Sequence, residues 1–105
     1  MIDEISVDEL ERRYAAEETF LLLDVREPDE LATASIAWAT AIPMGEIPAR
    51  MRELPPDTQI VCMCHHGSRS ERVAEFLAAN GYDAVNLTGG IDAWSRAIDS
   101  DVPRY

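Results

Sequence analysis

Two uninterrupted apolar runs, "FLLLDV" at 20–25 and "QIVCMC" at 59–64, constrain this chain more than any other feature. A strand with one wetted face alternates apolar and polar residues. A short run that is apolar almost throughout reads instead as a strand covered on both faces. Successive strands find such a place in a sheet sandwiched between helices.

The segments around these runs carry helical signals. "SVDELERRYAAEE" (6–18) opens with Ser6 and has Glu9 three residues on, a capping-box signature, and Val7, Leu10 and Tyr14 follow at helical spacing. "EPDELATA" (27–34) begins with a proline suited to a first helical turn, and "GEIPARMREL" (45–54) is a short helix candidate. "PPDT" (55–58) is a turn, because proline fixes φ and aspartate caps locally. "SERVAEFLAAN" (70–80) sets Val73, Ala74 and Leu77 on one face and stops before Gly81. "GIDAWSRAI" (90–98) is a last helix, while "TAIP" (40–43) and "AVNL" (84–87) are short extended pieces. Strands alternating with helices predict an α/β fold with a mainly parallel sheet and helices on both faces.

At 105 residues the chain is expected to form one domain, 1–105, with a core that needs no disulfide staples. No repeat, low-complexity tract or Gly/Ser linker divides it. Nine Lys+Arg against 20 Asp+Glu give a net charge of −11, which repels phosphate backbones and anionic lipid. Nucleic acid and membranes are therefore not expected partners, and the charge also serves solubility. The N-terminal "MIDEISVDEL" has no basic or apolar leader pattern, and no apolar run is long enough to span a bilayer. Cys62 and Cys64, one residue apart on a strand, are poorly placed to bond each other. A reducing compartment, the cytoplasm, is the expected location.

The chemistry concentrates in "IVCMCHHGSRS" (60–70). In open parallel α/β sheets ligands bind beyond the carboxyl ends of the strands, where Cys64 falls. A tight strand-to-helix turn points backbone N–H groups inward, and the helix N-terminus adds about half a positive charge. Gly67 supplies a positive φ that lets the loop curl, and Arg69 supplies a permanent cation. Each favours the thiolate of Cys64, the reacting form of a thiol. Cys62, inside the apolar run, reads as packing. Cys-x-Cys-His-His offers metal-ligand types but lacks the second, distant pair of a structural zinc site, so no metal is expected. His65 and His66 read as loop residues, as electrostatic tuning of Cys64, or as direct acid–base groups.

At these residues the chain resembles the single-domain rhodaneses. "LLLDVREPDEL" (21–31), "AIPMGEIPARMRELP" (41–55) and "IVCMCHHGSRSERVAEFLAANGYDAVNLTGGIDAW" (60–94) match that family's segments in order and spacing. The closing "IDAWSRAIDSDVPRY" (91–105) is similar to rhodanese domains attached to ubiquitin-like-protein adenylating enzymes. The resemblance implies a five-stranded parallel sheet and a sulfurtransferase in which Cys64 carries a sulfane sulfur as a persulfide. The implied donor is thiosulfate, another small anion or a protein persulfide; the implied acceptor is a thiol or another thiophile. No cofactor is implied. The implied cradle is Cys64, His65, His66, Gly67, Ser68 and Arg69, its backbone N–H groups facing the sulfur, with Asp24 and Arg26 flanking or bracing it or pairing at the strand end.

Four residues separate Cys64 from Arg69. The related phosphatases of this fold have one more, which widens the ring for a tetrahedral oxyanion; the shorter loop suits a single sulfur. The competing reading is a non-catalytic or relay module acting through protein–protein contacts. One stretch departs from the family: "ASIAWATAIP" (34–43) replaces a Gly-His pair and Ile-Pro-Gly-Ala. That change is expected to alter the loop and extend the preceding helix, and to leave Trp38 exposed near the rim of the site.

Overall fold

A computed structural model describes residues 2–105. The chain runs β1 (Glu4–Ile5), α1 (Val7–Ala15), β2 (Leu21–Asp24), α2 (Pro28–Thr33) and β3 (Thr40–Ala41), then α3 (Ile47–Arg50), β4 (Ile60–Met63), α4 (Ser68–Ala79), β5 (Ala84–Leu87) and α5 (Gly90–Ala97). The strands form one sheet in the order β1-β5-β4-β2-β3, and every pairing is parallel. The expected doubly covered parallel sheet is thus present. Its fifth strand, β1, has only two residues and left no periodic signal.

The pleat divides the core by alternation. Leu22, Val61, Met63, Val85 and Leu87 face one way and pack with Val7 and Leu10 of α1 and Ile91 and Trp94 of α5. Leu23, Ile60, Cys62 and Ala84 face the other way, with Val73, Ala74 and Leu77 of α4 and Ile47 of α3. The apolar residues of both runs follow one another without alternation because each face of the sheet is covered by helices. Among the described residues no helix is long and apolar enough to cross a membrane.

Several local expectations are revised. Ser6 caps α1 by accepting from Glu9 N at 3.1 Å, but the Glu9 carboxylate turns to Arg12 and Arg13 rather than closing the box. The reciprocal box forms instead at α2, where Glu27 N donates to Glu30 Oε1 at 3.1 Å. Segment 45–54 is no continuous helix: one α turn stands between 3-10 turns at Met44–Glu46 and Met51–Glu53.

The helix before the atypical segment is not extended. It stops at Thr33, and Ala34 is already in extended backbone at φ −157°. Trp38 does not reach the rim of the Cys64 loop. In a parallel sheet the residues before a strand lie at its amino end, and Trp38 precedes β3. There it stacks on Tyr14 at 4.1 Å between ring centroids and meets Phe20 and Trp94 edge-on. A cavity of about 570 Å³ opens beside it, lined by Tyr14, Phe20, Leu22 and Thr40 but by no residue of the 64–69 loop.

Candidate active site

The chain leaves β4 after Met63, and Cys64 is the first residue past the carboxyl edge of the sheet, 1% exposed. Gly67 then takes φ +116°, so that α4 begins at Ser68, two residues earlier than its sequence suggests. That early start brings the free N–H groups of the first helical turn to the sulfur. Gly67 N donates to Cys64 Sγ at 3.0 Å, and the Ser70 hydroxyl, which shares its one proton between Sγ and Asn86 Oδ1, lies 3.3 Å from the sulfur; the N–H groups of Ser70 and Arg69 add to the favourable field there. Burial pushes the Cys64 thiol up, yet the Ser70 hydroxyl and these N–H groups together bring it below its ordinary value. Cys62, one pleat earlier, has burial and the nearby Cys64 but no such donors, and is pushed up to about 12. One thiol of the pair is primed; the other is packing.

Neighbouring elements fix the backbone path of the loop. Ile91 N and Asp92 N, at the start of α5, donate to the carbonyl oxygens of Cys64 and His65 at 2.9 and 3.1 Å. Asn86 on β5 donates from Nδ2 to Gly67 O at 3.0 Å and accepts from Ser70 Oγ at 2.6 Å. Gly90 must lack a side chain here, since a β-carbon would stand 2.4 Å from Cys64 O and 2.6 Å from His65 O.

The predicted residues meet different fates. Gly67 meets the Cys64 sulfur through its N–H, whereas the Arg69 guanidinium is turned to Glu30, which it grips at 2.6 and 2.9 Å. That grip holds the Glu30 carboxyl at about 2, well below the usual carboxylate range. Ser68 is exposed at the helix start. The donors that reach the sulfur come from residues 67 and 70, not from the whole stretch as expected, because the chain turns into α4 at Gly67. His65 is held between the rings of Tyr105 and His66, each 3.8 Å away, and His66 is solvent-exposed. Asp24 and Arg26 form a fully buried pair, Nη2 to Oδ2 at 2.7 Å. Arg26 does not touch the loop; it reaches Glu30 O, Ala34 O and the Tyr105 hydroxyl.

His65, His66 and Asp92 bring possible metal-ligand atoms within 4.8 Å of one another. The Asp92 oxygens are already taken by Arg96 and Arg104 at 3.1 and 3.0 Å, cations that would oppose a metal ion.

The geometry agrees with the comparisons. The family profile of the rhodanese-like domain matches residues 6–97. This chain belongs to the rhodanese-like domain family. It is 43% identical over 97 residues to a sulfurtransferase of Allochromatium vinosum, covering 91% of each chain. It is 41% identical over 93 residues to YtwF of Bacillus subtilis, covering 89% of this chain and 90% of the relative. A crystal structure of a rhodanese-like domain protein from Staphylococcus aureus superposes with a TM-score of 0.87 at 34% identity, over 99% of both chains.

In this rhodanese-like domain, sequence reasoning missed Glu30, Ser70, Asn86 and Tyr105. Asn86 alone left a sign, an amide inside the otherwise apolar "AVNL". Glu30 takes four bonds on its two oxygens, from Glu27 N, both Arg69 prongs and the Tyr105 hydroxyl.

Proposed function

We propose that this rhodanese-like domain is a sulfurtransferase that carries a sulfane sulfur as a persulfide on Cys64. The supporting observation is the pair of hydrogen bonds from Gly67 N and the Ser70 hydroxyl to a buried thiol lowered in pKa. In the first half-reaction the Cys64 thiolate attacks the outer sulfur of a donor. With thiosulfate, the S–S bond breaks as the new Cys64 S–S bond forms, and sulfite leaves with the electron pair. The terminal sulfur of the persulfide carries the negative charge, which N–H donors and the helix N-terminus at this loop favour over a neutral form.

In the second half-reaction a thiophile attacks the terminal sulfur, and Cys64 departs as a thiolate. The group that accepts the electron pair is the one the loop already stabilises, so leaving and attack draw on the same donors. Cyanide yields thiocyanate, and a thiolate yields a new persulfide. Because Glu30 neutralises the Arg69 guanidinium, the anion rests on N–H dipoles and the Ser70 hydroxyl rather than on a free cation. A small donor anion or a protein persulfide supplies sulfur, a thiol receives it, and no metal or organic cofactor takes part. A reducing cytoplasm suits a thiol of this kind.

Steady-state release of thiocyanate from thiosulfate and cyanide tests the reading. The parent turns over and Cys64→Ser does not. Equal rates from both would overturn it.

A further inference from the structure

Tyr105 lies outside the loop and 41 residues beyond Cys64, yet it meets one loop residue directly and the carboxylate that holds another. Its ring lies flat on His65, with centroids 3.8 Å apart and planes 5° from parallel. Its hydroxyl accepts from Arg26 Nη1 at 2.9 Å, which anchors it to the fully buried Asp24–Arg26 pair. The same hydroxyl donates to Glu30 Oε2 at 2.8 Å, on the carboxylate that grips Arg69. Arg104, beside it, pairs with Asp92, whose N–H holds the His65 carbonyl.

We infer that Tyr105 is a positioning residue for Cys64, acting through His65 on one side and through Glu30 and Arg69 on the other. The inference rests on the reading of Cys64 as the reacting thiolate and adds the residue that tunes it. His65 and Arg69 stand on either side of Gly67 along the loop, and Gly67 N is the backbone donor on the sulfur. Within the loop only the tilted His66 ring meets His65, and no loop group orients the Arg69 guanidinium. His65 Nε2 is buried with no hydrogen-bond partner, so ring stacking rather than a polar bond orients the imidazole. The Arg69 guanidinium is oriented by a carboxylate 39 positions earlier. Tyr105 holds both, and the buried ion pair fixes Tyr105. Without it, His65 loses the flat partner on one face and Glu30 loses a donor, so the N–H groups spend less time aligned on Sγ. A thiolate loses more from poor alignment than a thiol does, so the thiol pKa rises.

The test is the pH dependence of Cys64 alkylation by iodoacetamide, read by intact mass. It needs no sulfur donor, so it separates this inference from the sulfurtransferase reading. Parent, Tyr105→Phe and Tyr105→Ala are compared, with Tyr14→Ala as a control at the opposite end of the sheet. Tyr105→Ala is expected to move the titration midpoint upward and to slow alkylation at pH 7 by about fivefold, the scale of one net hydrogen bond. Tyr105→Phe keeps the ring and loses the hydroxyl, and falls between parent and Tyr105→Ala. Tyr14→Ala leaves the midpoint in place. An unmoved midpoint in Tyr105→Ala overturns the inference, including the case in which only the high-pH plateau rises, which would make Tyr105 a mere cover. A midpoint moved equally by Tyr14→Ala overturns it too, since the effect would then be general loosening.

Discussion

Gly90 lies against the backbone of Cys64, so close that a β-carbon on it would stand 2.4 Å from the Cys64 carbonyl oxygen. The two residues come from different elements, the start of α5 and the end of β4, and their contact seats the loop on the sheet. Gly90→Ala forces the loop outward, breaks the bonds from Ile91 N and Asp92 N, and adds the strain of φ +59°. The expected loss is about 3 kcal/mol of folding stability, from backbone strain plus overpacking. Urea denaturation measures it, and a loss under about 1 kcal/mol would mean that the loop yields freely.

The two cysteines are expected to titrate apart. Alkylation of Cys64 should have its midpoint below the ordinary thiol value, since its pKa is lowered. Thiolate is the form favoured above that midpoint and is lost as pH falls through it. Cys62, raised to about 12 by burial and the nearby Cys64, should stay unmodified through the neutral range in the folded protein. Peptide mapping after iodoacetamide at several pH values distinguishes them; equal labelling at pH 7 would contradict the assignment.

Ser70 and Asn86 act as a pair. Ser70→Ala removes the hydroxyl from Sγ and leaves Asn86 Oδ1 without its donor in a buried place. Thiocyanate release at pH 7 should fall about tenfold, with part of the loss recovered at higher pH as the thiolate forms. Asn86→Ala should lower both rate and stability, because it frees Gly67 O as well. A Ser70→Ala enzyme with the parent's pH profile would remove the hydroxyl from the account.

Much of the architecture was legible because the two buried runs and the helical spacings are local signals. β1 escaped because two residues carry no period, and its place is set by backbone pairing to β5, some 80 residues on. The early start of α4 escaped because "GSRS" is helix-permissive only once Gly67 enters the left-handed region. The position of Trp38 was deducible, since a residue preceding a strand of a parallel sheet cannot lie at its carboxyl end. Cys64 and its loop were legible from a short motif. Glu30 and Tyr105 were not, because their meaning is a contact with residues 39 and 40 positions away.

Sulfur carriage by Cys64 is open to a direct test. Intact mass after incubation with thiosulfate, followed by cyanide, reads it in the parent and in Cys64→Ser. The parent is expected to gain one sulfur atom, erased by cyanide and absent from the variant. A parent that gains nothing from thiosulfate or from a persulfide donor, or a variant that gains the same adduct, would contradict it.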